Sequence, residues 1–206
     1  CTTNPCSDPS TINTGHDLNR DTVDLDGQGG GDSYLIQTTD DTSYIVNVHD
    51  SGAENDVVDS LVIDGTNNDD EFLLRALFVA KLDANSVVER INYDDSINTL
   101  QVNGYSESTG VDAPDGNDAF YVDDNSALTV LDGGTGDDTF QFGQMFGADR
   151  QPPDVAPGDE IETVDTTVGW LSRGISYSTV AYGGDGEDTF TVYSNKATLK
   201  LFGEDG

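Results

Sequence analysis

The sequence has few cationic side chains and no long apolar run. Eight Lys and Arg residues face 40 Asp and Glu residues, so the formal net charge of the 206-residue chain is −32. Because nucleic acids and anionic membrane surfaces attract proteins through Lys and Arg, this balance argues against both as partners. No apolar stretch approaches the roughly 20 residues of a membrane helix, so we expect no membrane insertion.

Cysteine is nearly absent as well. Cys1 and Cys6 are the two cysteines, and a disulfide between them would close a small loop and imply an oxidising, extracytoplasmic compartment. Free thiols and a bond to another chain are the alternatives. Residues 1–20 are polar, and we expect them to form an N-terminal cap or linker.

Residues that carry catalysis are sparse and scattered. His16 and His49 are far apart, and the sequence has no nucleophile motif, zinc-ligand spacing or phosphate-binding loop. We therefore expect no enzymatic activity. A polysaccharide-active β-helix enzyme is the weakest alternative, and it would need Arg75, Lys81 and Arg90 to line one groove.

Glycine and aspartate, by contrast, recur in an octapeptide of the form Gly-Gly-x-Gly-x-Asp-x-aromatic. Complete copies occupy residues 133–140 and 183–190, partial copies occupy 27–34, 65–72 and 113–120, and 203–206 begins a sixth. Glycine permits a tight turn and aspartate supplies a hard oxygen ligand. The pattern therefore predicts a calcium-binding turn, and its half copy at the end predicts a segment of a longer protein.

Apolar residues alternate on both sides of each copy, as in Leu131 before one turn and Phe140 and Phe142 after it. Val111 holds the place of Leu131 before the copy at 113–120. An apolar residue at every second position indicates strand–turn–strand units with one buried face. Further strands are predicted at residues 44–48, 86–88, 99–102, 175–179 and 197–201. Residues 69–93 are predicted to contain two short strands, although their composition also suits a helix.

The spacing of the copies predicts the architecture. Phe120 and Phe140 are 20 residues apart, and we take about 20 residues as one coil of a parallel β-solenoid. The longer gaps are expected to hold two coils, or two coils plus an insertion, with residues 143–174 as a loop excursion. The predicted fold is thus an all-β solenoid over residues 21–206 that continues further. A β-sandwich with acidic hairpin turns is the alternative.

The motif resembles the RTX, or hemolysin-type, calcium-binding repeat of large secreted bacterial proteins. The resemblance covers residues 21–206, but only the turns are specific. It implies a right-handed parallel β-helix or β-roll, with Ca²⁺ held between successive turns by glycine-region carbonyls and the motif aspartates. Because one turn matches per coil, we expect the calcium on one edge. The aspartates carried over are Asp32, Asp70, Asp118, Asp138 and Asp188.

Calcium takes six to eight oxygen ligands, so a complete site needs two stacked turns. The first predicted pair joins residues 113–118 to 133–138, with Asp118 and Asp138 as ligands. Asp115, Asp132, Asp137, Gly133 and Thr135 would assist there. The second pair joins 183–188 to 203–206, with Gly183, Asp185, Asp188 and Asp205. Asp32 and Asp70 belong to turns without a predicted neighbour, so we expect weak sites or none there.

These features predict a structural role. The chain would be a calcium-stabilised stalk, fibre or filament segment of an extracellular bacterial surface protein or adhesin. Its partners would be calcium ions and further copies in a fibre. A glycan- or partner-binding adhesin module is the alternative, with candidate exposed aromatics Tyr105, Tyr121, Trp170, Tyr182 and Tyr193.

Overall fold

A computed structural model describes residues 21–40, 42–52, 57–82, 88–106, 116–151, 155 and 160–206. The predicted cap with Cys1 and Cys6 lies outside these residues, and so do Val111, Ala113 and Asp115. The described chain is all β. No helix in this part of the chain is long and apolar enough to cross a membrane.

The strands are β1 (Asp21–Asp26), β2 (Ser33–Gln37), β3 (Tyr44–His49), β4 (Ser60–Asp64), β5 (Glu71–Arg75), β6 (Phe78–Leu82), β7 (Val88–Tyr93), β8 (Thr99–Asn103), β9 (Ala119–Val122), β10 (Leu128–Asp132), β11 (Thr139–Phe142), β12 (Met145–Phe146), β13 (Thr163–Thr166), β14 (Gly169–Ser172), β15 (Thr179–Tyr182), β16 (Thr189–Val192) and β17 (Leu199–Phe202).

The chain alternates between two sheets. Sheet 1 has the strand order β1-β3-β7-β6-β5-β9-β11-β16, and sheet 2 has the order β17-β15-β10-β8-β4-β2. One circuit places a strand in sheet 1 and then one in sheet 2, and the next circuit adds a neighbour to each. All pairings in sheet 2 are parallel, and so are those of sheet 1 outside β6. The hairpin-linked sandwich is therefore wrong, since it would need antiparallel pairs.

The core lies between the two sheets and consists of rows of side chains, one from each circuit. Phe72, Phe120, Phe140 and Phe190 form one row in sheet 1, with stacked rings whose centroids are 5.3, 4.8 and 5.0 Å apart. Leu61 and Leu100 face the same cluster from sheet 2. Since neighbouring strands lie about 4.8 Å apart, parallel in-register pairing brings equal side chains into this stacking distance.

The 20-residue step is present in two circuits. Thr139 pairs with Ala119 in sheet 1, and Leu199 pairs with Thr179 in sheet 2. The expectation of two coils is wrong for the two longest gaps. Phe72 pairs directly with Phe120, and β11 pairs directly with β16, so each of these two gaps holds one circuit with an insertion.

The first insertion is a hairpin within sheet 1. Residues 71–82 and 88–93 form three strands, β5, β6 and β7, rather than the two predicted. They pair antiparallel, which brings Val79 and Ile91 onto the core face. Of the strand predicted at 86–88, only Val88 is described, and it begins β7.

The second insertion is the excursion at residues 143–174, which contains a small antiparallel sheet, sheet 3, in the order β12-β14-β13. The strand predicted at 175–179 begins only at Thr179, and the strand predicted at 197–201 is Leu199–Phe202. Buried Asn125 fixes this return. Its Nδ2 donates to Thr179 Oγ1 at 3.1 Å, and its Oδ1 accepts from the Tyr177 N–H at 2.9 Å. The amide thus restores the register after the insertion.

The turns lie on two edges. Residues 65–70, 133–138 and 183–188 lead from sheet 2 to sheet 1, and we call this side the motif edge. Residues 27–32 lead from sheet 1 to sheet 2 on the opposite edge. The motif copies therefore lie on both edges, although calcium was expected on one edge only. A Gly- and Asp-containing turn between two strands suits either edge, so the sequence pattern does not distinguish them.

Close packing explains the first glycine of the motif. A Cβ on Gly133 would lie 2.1 Å from Asp138 Oδ2 and 2.5 Å from the carbonyl oxygen of Gly183 in the next circuit. Gly104 makes the corresponding approaches to Asp118 and Gly133. Gly104 therefore occupies the place that the sequence pattern assigned to Ala113. The pattern missed it because this turn is longer than the others.

Replacing Gly133 with alanine tests this packing. We expect Gly133→Ala to reduce the free energy of unfolding by about 1–3 kcal/mol, since the added methyl overlaps a buried carboxylate and a backbone carbonyl. Gly203 is the matched control, because it holds the same motif position but a Cβ there would meet nothing within 4 Å. Urea unfolding measures both variants. Equal losses would contradict the stacking of the motif edge.

Candidate functional site

The motif aspartates form a hydrogen-bonded ladder along the motif edge. The backbone N–H of Asp70 donates to Asp118 Oδ1 at 2.7 Å, that of Asp118 to Asp138 Oδ1 at 2.7 Å, and that of Asp138 to Asp188 Oδ1 at 3.0 Å. Each aspartate immediately precedes a strand of sheet 1. Its carboxylate therefore accepts the N–H of the equivalent residue in the preceding circuit.

The ladder aspartates are mostly buried. Asp70, Asp118 and Asp138 are 4%, 1% and 1% exposed. Burial disfavours a charged carboxylate, and it raises the pKa of Asp188 at the end of the row. Hydrogen bonds from backbone N–H groups oppose this effect, because they stabilise the ionised form. The ladder thus keeps a row of neighbouring carboxylates inside the turn stack.

A second ladder runs alongside in the reverse direction. The Asp137 N–H donates to Asn117 Oδ1 at 2.8 Å, and the Glu187 N–H donates to Asp137 Oδ1 at 2.9 Å. Here each side chain accepts from the following circuit. Successive N–H groups of an extended chain point to opposite sides, so two adjacent residues can join a turn to both of its neighbours.

Lys81 closes the first ladder at its N-terminal end. Its Nζ lies 2.9 Å from Asp70 Oδ1 and 2.8 Å from Asp40 Oδ1, although the side chain is only 5% exposed. Burial lowers the pKa of Lys81, but the bonds to Asp40 and Asp70 outweigh it, so the net shift is upward. Asp70 Oδ1 thus accepts from an ammonium group where the other ladder carboxylates accept from a backbone N–H.

The opposite edge carries a shorter ladder of the same kind. The Asp32 N–H donates to Asp59 Oδ1 at 2.8 Å, and the Asp59 N–H donates to Asn98 Oδ1 at 2.8 Å. These residues precede strands of sheet 2. The repeated motif includes Asp32 but not Asp59 or Asn98, which have no glycine run before them. The shorter signal Asp/Asn-x-apolar, as in Asp59-Ser60-Leu61 and Asn98-Thr99-Leu100, would have found both.

Three carboxylates meet beside this shorter ladder. Asp32, Asp50 and Asp59 each offer an oxygen within 4.8 Å of the others, the one such acidic group among the described residues. Asp32 Oδ2 is buried and has no hydrogen-bond partner there. Burial raises the pKa of nearby Tyr34, and the three carboxylates add to the shift. The cluster therefore has the donor set of a small oxygen-ligated cation site.

The remaining predicted residues are only partly brought together. Asp118 and Asp138 are neighbours, as expected, and Asp70 joins them although no neighbour was predicted for it. Thr135, Asp185 and Asp205 align in one row through backbone bridges. Gly183 follows Gly133 in the glycine row. Asp132 lies apart from the ladder, and its Oδ2 accepts from the Tyr105 hydroxyl at 3.3 Å.

A buried ion pair lies near the second insertion. Asp123 is 2% exposed, and its Oδ2 lies 3.5 Å from Arg75 Nε. Burial raises the pKa of Asp123 to about 6, and the positive charges of Arg75 and Arg150 only partly offset this effect. The folded chain therefore holds a proton here more tightly than an unfolded chain does.

Comparison of the chain with known protein families, curated proteins and solved structures finds no match. The function is therefore inferred from the geometry of the chain itself.

The ladder predicts a local effect of Asp138→Ala. We expect a loss of about 1–3 kcal/mol in the free energy of unfolding, because the buried N–H of Asp118 loses its acceptor. Amide hydrogen exchange at Asp118 should accelerate in the same variant. Asp185→Ala serves as the control, since this exposed residue contributes its backbone to the row. Unchanged exchange at Asp118 would contradict the ladder.

Asp123 predicts a pH dependence. Between the ordinary carboxyl pKa of about 4 and about 6, the folded state binds more protons than the unfolded state, so stability falls as pH rises. The decrease from this group is at most about 3 kcal/mol. Thermal melts from pH 4 to 7 should show a flatter profile for Asp123→Asn than for the wild type. Exposed Asp95→Asn is the control, and parallel profiles for Asp123→Asn and wild type would overturn the assignment.

Proposed function

We propose that the chain is a calcium-stabilised β-solenoid module, right-handed and with about 20 residues in an uninterrupted coil. It would serve as a stalk, fibre or filament segment of a large extracellular bacterial surface protein or adhesin. The observation that carries this proposal is the unbroken row of equivalent contacts across four circuits, in the aspartate ladder and in the phenylalanine row. Stacks of this kind grow along one axis and suit spacers and fibres.

The last circuit supports self-association. Val192 and Leu201 are 45% and 37% exposed, whereas Phe142 and Ala181, their partners one circuit earlier, are fully buried. A further circuit stacked on β16 and β17 would cover these side chains. It would also extend both sheets by parallel pairing, which is the contact already repeated along the chain.

Calcium would act mainly at the cluster of Asp32, Asp50 and Asp59. These residues come from the turn 27–32 and from the two ends of the connection between β3 and β4. A cation there would join the first two circuits and offset carboxylate repulsion. We also propose calcium ligands at two pairs of stacked turns on the motif edge. They are Asp118 with Asp138, and Asp188 with Asp185 and Asp205. A cation at Asp118 and Asp138 would share their oxygens with the ladder.

The proposal includes no catalysis. Arg75 and Arg90 stack on Phe78 at the outer face of sheet 1, whereas Lys81 binds Asp70 within the turn stack. The three cations that an acidic-polysaccharide enzyme would have to bring into one groove are therefore divided between two faces of the sheet.

Calcium dependence tests the proposal. A ligand present at ten times its dissociation constant adds about 1.4 kcal/mol, which corresponds to a rise of about 3–6 °C in Tm for a chain of this size. We expect this rise between EDTA and 10 mM calcium, since extracellular calcium modules bind in the range of roughly 0.1–1 mM.

Asp50→Asn should remove most of that rise, because it deletes one ligand charge and keeps an oxygen to accept the Gly52 N–H. Asp94→Asn is the matched control. Asp94 follows β7 as Asp50 follows β3, and it accepts the Ser96 N–H in an equivalent turn outside the cluster. A wild-type Tm that is insensitive to calcium would overturn the calcium proposal. If calcium raised the Tm of Asp50→Asn as much as that of the wild type, the calcium site would have to lie outside the cluster.

A further inference from the structure

A small pocket of about 270 Å³ opens on the outer face of sheet 1, where the excursion approaches β5 and β9. Its floor is formed by outward-facing side chains of the sheet, and its wall by residues 144–150. Its lining residues include Glu71, Leu73, Arg75, Tyr121, Phe146 and Arg150.

Cations concentrate at this face although the chain has few of them. Of the eight Lys and Arg residues in the sequence, Arg75 and Arg150 line the pocket. Arg90 lies beside it, with its guanidinium 3.8 Å from the centroid of the Phe78 ring, and Arg75 contacts the same ring at 5.5 Å. Arg150 lies over Phe146 at 5.1 Å. Stacking on aromatic rings holds these guanidinium groups in place.

Arg150 offers donor capacity at the pocket. Arg75 Nε lies 3.5 Å from Asp123 Oδ2, so Arg75 already has a carboxylate beside it. Arg150 Nε is buried and has no hydrogen-bond partner among the described residues. A buried donor without an acceptor costs stability, and Arg150 also lines the open pocket, so its guanidinium is suited to an incoming anion.

We propose that this pocket binds the carboxylate of one acidic sugar ring. Arg150, with Arg75 beside it, would hold the carboxylate, since a guanidinium matches its planar geometry. Tyr121, Phe146 and Leu73 offer apolar surface to the C–H face of the ring, and Glu71 can accept from its hydroxyl groups. The pocket lies below the roughly 300–1,000 Å³ of sites for drug-sized ligands, so it suits a single ring.

The charge of the whole chain narrows the ligand further. With a net charge of −32, the chain repels a polyanion, and this repulsion grows with each charge of the ligand. A neutral glycan that ends in one carboxylate-bearing sugar avoids most of it. The ligand is therefore a terminal acidic sugar and not an acidic polymer. This binding role goes beyond the structural role proposed above.

Titration calorimetry of the wild-type chain tests this directly, with methyl β-D-glucuronide compared with methyl β-D-glucoside. The two probes differ in the carboxylate alone, and we expect the glucuronide to bind at least about tenfold more tightly, as a charge-assisted hydrogen bond predicts. Equal binding of the two, or binding of neither, would overturn the proposal. Acetate that binds as tightly as the glucuronide would overturn the sugar assignment, and tighter binding of polygalacturonate per sugar unit would overturn the preference for one terminal ring.

Arg150→Gln should weaken glucuronide binding at least about tenfold, because it removes the charge and the fork of donors. Arg173→Gln is the matched control, since Arg173 belongs to the same excursion but pairs with Glu162 at 2.7 Å. Wild-type affinity in Arg150→Gln would overturn the assignment. Circular dichroism shows whether Arg150→Gln is folded. If it is unfolded, glucuronide binding by Tyr121→Ala and the comparison of glucuronide with glucoside on the wild type still test the proposal. Thermal melts in calcium report on the structural role independently.

Discussion

The structure depends on one contact, in which the side chain that precedes a strand accepts the backbone N–H of its equivalent in the preceding circuit. Asp138 makes this contact with Asp118 at a distance of 2.7 Å. Its second carboxylate oxygen then lies against the α-carbon of Gly133, where a Cβ would come within 2.1 Å. Aspartate and glycine recur together in the motif because the aspartate carboxylate fills the space that glycine leaves open by lacking a Cβ. Neither residue would be required alone.

This contact also explains why large insertions are tolerated. Each turn needs only the turn directly before and after it, so the chain can leave the stack and return without disturbing other circuits. The excursion at residues 143–174 returns through Asn125, and β16 then pairs with β11 as if the circuit had been uninterrupted. The entropy cost of closing a longer connection grows slowly with its length. A missing turn, by contrast, would remove contacts that nothing else replaces.

Local patterns in the sequence predicted the strands well and their neighbours poorly. Alternation placed Phe140 and Phe142 on the buried face, and the turn chemistry placed Asp118 and Asp138 next to each other. The position of residues 27–32 on the opposite edge could not be predicted, because the edge depends on the sheet to which the preceding strand belongs. Gly104 was missed for a related reason. It is separated from Asp118 by a longer connection, and only stacking on Gly133 identifies its role.

The same contact changes how the aspartates relate to calcium. A ladder carboxylate already has backbone N–H groups as partners, so its presence in the motif has an explanation that involves no ion. Carboxylates that lie close together outside a ladder are stabilised most by a cation, because solvent is otherwise the main factor that offsets their mutual repulsion. Asp50 fits that description, since it joins Asp32 and Asp59 from outside the ladder. Asp32 and Asp59 therefore belong to both the shorter ladder and the cluster, whereas Asp50 suits a cation without building the stack.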